Sequence, residues 1–238
     1  MFLSQMPWDF WLIFAFLAVV IPWRGRARLR YLLSLESVGT KEKITLYLTT
    51  IAFQWTLAIL VAWRAWARGL TPAELGLSPL RSTRILLPTI LGALLLGGLH
   101  WLNLRRISLL EGDAPEKMRI LARRILPRSL VEFLPYFALA ITAGVCEEFL
   151  YRGFAMAALL RFGLPTWLVV LLTSGLFGLA HSYQGRSGVF GTSVMGLVLG
   201  ANRILYESLF SVVVWHAVVD VVAGIAGRKY LMNERFVE

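Results

Sequence analysis

Long apolar runs alternate with short polar segments along this chain, a pattern typical of helices that cross a membrane. A helix needs about 20 apolar residues to cross a hydrocarbon core of about 30 Å. Three runs clearly approach this length and four more are candidates: 7–23, 44–63 and 85–104, then 129–160, 165–181, 188–201 and 208–226. The pattern predicts an all-α, polytopic membrane helix bundle with about seven transmembrane helices.

Two segments leave more than one structure open. Residues 129–160 would form a straight helix of roughly 48 Å, longer than one span, so a break near Gly144 would create an eighth crossing or a re-entrant piece. Residues 115–126 alternate apolar and basic side chains at helical spacing. This spacing fits a helix in the inner headgroup layer that meets anionic lipid, or a solvated connector helix.

Composition and charge agree with a membrane protein. Hydrophobic residues make up 58% of the chain and charged residues 16%, against about 25% charged in soluble domains. The net charge of +10 resides mainly in the segments between spans, so it indicates membrane topology and no nucleic-acid partner. With the N-terminus outside, most lysines and arginines fall inside, which predicts seven crossings and an internal C-terminus.

The stretch "GVCEEFLYRGF" at 144–154 places three charged side chains inside an apolar run. A charge near the bilayer centre costs about 2.5–3.5 kcal/mol. Glu148 and Arg152 are four residues apart on one helical face, so we expect them to form an ion pair. Glu147 is turned by about 100° from Glu148. It is therefore the carboxylate that remains available for chemistry.

Two further spans carry polar groups. "FGLAH" ends an apolar helix with His181, one turn after Phe177, and "WHAVVD" places His216 and Asp220 four residues apart. A carboxylate and an imidazole can activate one water, and a second imidazole with a polar partner can bind the resulting oxyanion. Glu147 with His181, and His216 with Asp220, supply these parts, which indicates acyl hydrolysis at membrane depth.

Other chemistries remain open for this set of residues. Glu147, His181 and His216 are also a possible zinc set, although "HExxH" is absent. Cys146 as a nucleophile is disfavoured because it points about 100° away from Glu147 and lone cysteines are commonly buried. No "GxSxG" stretch surrounds a serine, which argues against a serine mechanism.

Proteins of a different class would also keep polar groups in a membrane. A non-catalytic membrane partner, such as an immunity or scaffold protein, would use the buried network for folding alone. A transporter would use the acidic groups as a proton relay, but no pair of broken helices at matching positions is evident. Replacing Glu147 by glutamine discriminates these hypotheses from an enzyme.

Three motifs resemble those of a known family. "EEFLYR" at 147–152, "FGLAH" at 177–181 and "HAVVD" at 216–220 resemble, in this order, EExxxR, FxxxH and HxxxN/D of the CAAX-protease and bacteriocin-processing family, whose eukaryotic members are type II CAAX prenyl endopeptidases. The resemblance implies an all-helical intramembrane protease with its site in a cavity. It divides the single membrane domain, 1–238, into variable N-terminal spans, 1–128, and a catalytic core, 129–226.

The resemblance also implies a role for each residue of the motifs. No cofactor is expected, with zinc as the alternative. The implied roles are general base for Glu147, partner in holding the water for His181, oxyanion hole for His216 and Asp220, and support for Glu148, Arg152 and Phe177.

Asp220 departs from the asparagine of the prenyl-processing members. A carboxylate accepts hydrogen bonds and would repel an oxyanion, so we expect Asp220 to orient His216 by accepting its N–H. Nothing in the sequence indicates a eukaryotic setting. The expected host membrane is therefore the bacterial inner membrane, with the lipid bilayer and a membrane-associated peptide or protein substrate as partners.

Overall fold

The computed structural model describes residues 5–77 and 83–232. Eight helices follow one another within these ranges: α1 Trp8–Ser34, α2 Thr40–Ala67, α3 Leu86–Ser108, α4 Asp113–Ile125, α5 Leu130–Arg161, α6 Thr166–Ala180, α7 Gly185–Tyr206 and α8 Phe210–Leu231. No strand occurs in the described ranges, so the predicted all-α fold is confirmed.

Six of these helices are long and apolar enough to cross a membrane, namely α1, α2, α3, α5, α7 (with the turn before it) and α8. The chain is a multi-pass integral membrane protein. The predicted span at 165–181 is α6, which has only 15 residues and is shorter than the roughly 20 residues of a full crossing. By length, six helices qualify instead of the seven predicted.

Of the alternatives left open for this segment, a break near Gly144 does not occur, because α5 runs without interruption from Leu130 to Arg161. The helix instead widens into a π-helical stretch at Phe149–Ala155, immediately after Glu148. All seven residues of this stretch are buried. π-Turns inside α-helices occur frequently at functional sites, and the apolar pattern along the chain did not indicate this one.

Gly144 has a different role, which is to let α5 and α8 cross closely. A Cβ at this position would lie 2.9 Å from the Val213 carbonyl oxygen and 3.2 Å from the Ala217 Cβ. Only glycine fits such an approach without displacing the backbone of α8. The two glutamates begin one turn later on α5, so the crossing places them beside the histidine of α8.

The bundle divides into buried and lipid-facing helices. About 39% of the apolar window is buried in α5 and in α8, but only 11% in α3. The helix predicted at 115–126 is α4, and its apolar face packs on α3 and α8 through Ala122, Leu104 and Ala226. The helices with polar motifs therefore occupy the centre, while α3 lies towards the bilayer.

Candidate active site

Glu148 and Arg152 form the predicted ion pair. Arg152 Nη1 donates to Glu148 Oε1 at 2.8 Å, and neither side chain is exposed. Arg152 Nη2 donates to the Gly196 carbonyl oxygen at 3.3 Å, and its guanidinium lies 4.3 Å from the centre of the Phe177 ring. The arginine is thus held by a carboxylate, a backbone carbonyl and an aromatic face.

Glu148 also binds His216, which the sequence did not indicate. His216 Nδ1 lies 2.7 Å from Glu148 Oε1. An ionised carboxylate only accepts hydrogen bonds, so Nδ1 is the donor. Asp220 Oδ2 lies 3.6 Å from His216 Nε2, longer than an N–H···O hydrogen bond. The expected orientation of His216 by Asp220 is therefore corrected: Glu148 accepts the N–H.

Glu147 points away from this pair and uses its two oxygens differently. Oε1 accepts a hydrogen bond from Gln54 Nε2 of α2 at 2.7 Å. Oε2 lies 3.9 Å from His181 Nε2. Among the described residues this buried oxygen has no hydrogen-bond partner. One oxygen therefore fixes the side chain, and the other remains available.

The turn after α6 fixes the ring of His181. His181 is the first residue after the helix, and its Nδ1 lies 2.9 Å from the Phe177 carbonyl oxygen. A carbonyl only accepts, so Nδ1 carries the proton. In the neutral ring Nε2 then has a free lone pair, and this is the nitrogen that faces Glu147.

Two cavities meet at Glu147 and His181. The α1 cavity, of about 200 Å³, is lined by α1, α2 and α5 and includes Arg24 and Arg28. The α3 cavity, of about 300 Å³, is lined by α2, α3, α4, α5 and α8 and includes His216 and Asp220. The sequence-predicted residues of all three motifs thus converge, although Glu148, Arg152 and Phe177 lie behind the cavity wall.

The alternative chemistries fit this arrangement less well. Within the ranges that the structure describes, no group of three or more His, Cys, Asp and Glu side chains is placed to hold a metal ion. The zinc set considered above, Glu147, His181 and His216, is not such a group in the described ranges. Cys146 is fully buried and lines neither cavity.

Sequence reasoning missed several polar residues of the cavity wall, among them Gln54 and His100. Both lie inside apolar spans, "AFQWTL" and "GGLHWL". Polar groups within a span are costly and usually functional, so the signal that singled out Glu147 was present for them as well. Neither has an ionisable residue three or four positions away, which is why the pattern did not reveal them.

Comparison with known families bears on the three motifs together. Residues 129–222 match the model of the Rce1-like family, described as type II CAAX prenyl endopeptidase Rce1-like. These 94 of the chain's 238 residues, the Rce1-like segment, are similar to that family. The match confirms the resemblance drawn from the motifs. It covers α5, α6, α7 and the first 13 of the 22 residues of α8, whereas α1 to α4 lie outside the Rce1-like segment. No curated protein and no solved structure matches the chain.

Proposed function

We propose that this protein is an intramembrane endopeptidase in which Glu147 activates a water molecule. The observation that carries this proposal is the 3.9 Å gap between Glu147 Oε2 and His181 Nε2. Polar atoms at such a distance are commonly bridged by a water. Both atoms are acceptors here, so a bridging water donates one hydrogen to each and directs its oxygen lone pairs into the cavity.

Proton transfer follows from the same geometry. As the water oxygen attacks the carbonyl carbon, Glu147 Oε2 takes one proton and acts as general base. Glu147 then holds the proton that the leaving amine needs when the C–N bond breaks. Gln54 stays bound to the other carboxylate oxygen, so the base keeps its position during both transfers. This mechanism requires no metal.

His216 supports the proposed oxyanion site from α8. Its Nδ1–H is engaged by Glu148, so only Nε2 is directed to the α3 cavity. A donor at Nε2 requires a doubly protonated ring, which the ionised Glu148 stabilises by charge attraction. The imidazolium then donates to the developing oxyanion. Asp220 lines the same wall.

The substrate of the proposed reaction is a membrane-associated peptide or protein. The α1 cavity is mainly apolar, with Ile21, Leu29 and Leu57 on its wall, which fits a hydrophobic segment or a lipid chain. Two internally quenched peptides of one sequence, with and without a farnesyl group on the cysteine of a C-terminal CAAX sequence, decide whether a prenyl chain is required.

The decisive experiment replaces Glu147 by glutamine, which removes the base and keeps the volume. Membrane proteomes of cells with the wild-type protein and with Glu147→Gln are compared by mass spectrometry of new peptide termini. We expect the cleavage products to disappear and turnover to fall about 10²–10⁴-fold, with an unchanged thermal midpoint of the purified protein. Glu111→Gln, at an exposed carboxylate, is the control.

Two results would contradict the proposal. If a folded Glu147→Gln protein still cleaves its substrate, the enzyme is not a glutamate peptidase, and a cell phenotype that survives the change favours the non-catalytic partner. If a chelator abolishes wild-type cleavage and zinc restores it, the metal-independent mechanism is wrong.

A further inference from the structure

The third histidine of the chain shares the cavity with the other two. The chain has 3 histidines, and all of them line the α3 cavity. His100 lies on α3, outside the Rce1-like segment, and belongs to none of the three motifs. Its Nε2 is buried and has no hydrogen-bond partner among the described residues. Buried polar atoms are rarely left unpaired in native structures. We therefore expect His100 Nε2 to bind a group from outside the described part of the protein.

Asn103 extends this polar surface by one helical turn. It follows His100 by three residues, which places both side chains on one face of α3, and it lines the same cavity. The neighbouring Leu99 and Leu102 are 54% and 58% exposed and face the bilayer side. Between Ile90 and Leu104, the polar side chains of α3 besides the Trp101 indole are His100 and Asn103, and they form a strip that borders the cavity.

The strip forms a wall separate from the one that holds the base. α3 packs against α8, whereas α2, which holds Glu147 through Gln54, packs against α5. A peptide bond that enters the cavity therefore meets polar groups from more than one side. A substrate backbone in a water-poor site needs hydrogen-bond partners for its N–H and C=O groups, because unpaired ones are costly.

We propose that His100 and Asn103 bind the backbone of the substrate peptide next to the scissile bond. Imidazole Nε2 and the side-chain amide together offer donors and acceptors. Their separation along α3, about 4.5 Å, is within reach of neighbouring groups of an extended chain that rises about 3.3 Å per residue. This inference rests on the proposed function and adds substrate-binding residues from a helix outside the matched family segment.

The test uses an internally quenched peptide that spans the cleavage site found in the proteome comparison. A contact made equally in the ground state and in the transition state affects KM and leaves kcat unchanged. We expect His100→Leu to raise KM about tenfold, the usual scale for a lost hydrogen bond to a buried group. His100→Gln, whose amide reaches the position of Nε2, restores most of the affinity. Asn103→Leu raises KM, and the control Leu102→Ala does not.

A photocrosslinking arm remains informative if His100→Leu does not fold. Benzoylphenylalanine replaces either Asn103 or Leu102 in the inactive Glu147→Gln protein, and the peptide is added to membranes that contain it. We expect a crosslink to the peptide from position 103 and none from position 102.

The outcomes separate this inference from the proposed function. Any one of three results overturns the binding role of α3. These are an unchanged KM in both His100→Leu and Asn103→Leu, a fall in kcat alone, and equal crosslinking from positions 102 and 103. Each of these results leaves the peptidase proposal intact as long as Glu147→Gln is inactive. Cleavage by Glu147→Gln would instead overturn the proposed function and this inference with it.

Discussion

Glu147 and Glu148 are neighbours in sequence but belong to two different regions of the molecule. The buried cluster, formed by Glu148, Arg152, Phe177 and His216, is almost fully enclosed, and most of its polar contacts are direct. The cavity cluster, formed by Gln54, Glu147 and His181, has one direct side-chain contact and one gap. In the buried cluster the charges of Glu148 and Arg152 compensate each other, although Glu148 Oε2 and Arg152 Nε have no hydrogen-bond partner among the described residues. In the cavity cluster the unpaired oxygen of Glu147 lies next to an open volume, where it can meet a substrate. The difference predicts that the two clusters respond differently to mutation.

The largest effect on stability is expected from Arg152→Met in the buried cluster. Removing one partner of a buried ion pair leaves an uncompensated charge and costs about 3–5 kcal/mol. We expect a large fall in the thermal midpoint of the detergent-solubilised protein, with loss of activity as a consequence. Arg161→Met is the matched control, because Arg161 lies on the same helix in a partly exposed pair with Glu74. Equal stability of the two variants would contradict the distinction between the clusters.

A smaller effect, on activity alone, is expected from Gln54→Leu in the cavity cluster. A hydrogen bond to a charged group contributes about 1.5–3 kcal/mol, so loss of the anchor on Glu147 lowers kcat by roughly 10- to 100-fold. The thermal midpoint should change little. The neighbouring Trp55, which is 43% exposed and lines neither cavity, provides the control Trp55→Leu. Wild-type kcat in Gln54→Leu would show that the base needs no anchor.

The smallest effect is expected from Asp220→Asn. Glu148 already accepts the N–H of His216, so the carboxylate of Asp220 is not required to orient the ring, and asparagine can donate to the oxyanion. We expect kcat/KM to fall by less than roughly fivefold, which corresponds to a loss of about 1 kcal/mol in transition-state stabilisation. Asp220→Ala should lose most of the activity. Equal collapse of both variants would show that the negative charge itself is needed at this position.

Much of the fold follows from the sequence, because span length and apolar pattern are local properties. The spans predicted at 44–63, 85–104 and 208–226 fall on α2, α3 and α8, and none begins more than two residues before the observed helix. The continuity of α5 was not, since a helix longer than one span has more than one way to cross a bilayer. The π-helical stretch of α5 was not predicted either. The registry of that turn depends on how Phe149–Ala155 pack against other helices.

Within the candidate site, the sequence by itself determined the pairs that one helix creates. Glu148 with Arg152, and His216 near Asp220, follow from four-residue spacing, and the availability of Glu147 follows from its turn away from Glu148. Only the tertiary structure decided the contacts between helices. These are the hydrogen bond from His216 to Glu148, the anchor that Gln54 provides for Glu147, and the place of His100 on the cavity wall. The physical reason is that helical periodicity fixes which side chains share a face, whereas close crossings, such as the one at Gly144, fix which faces meet.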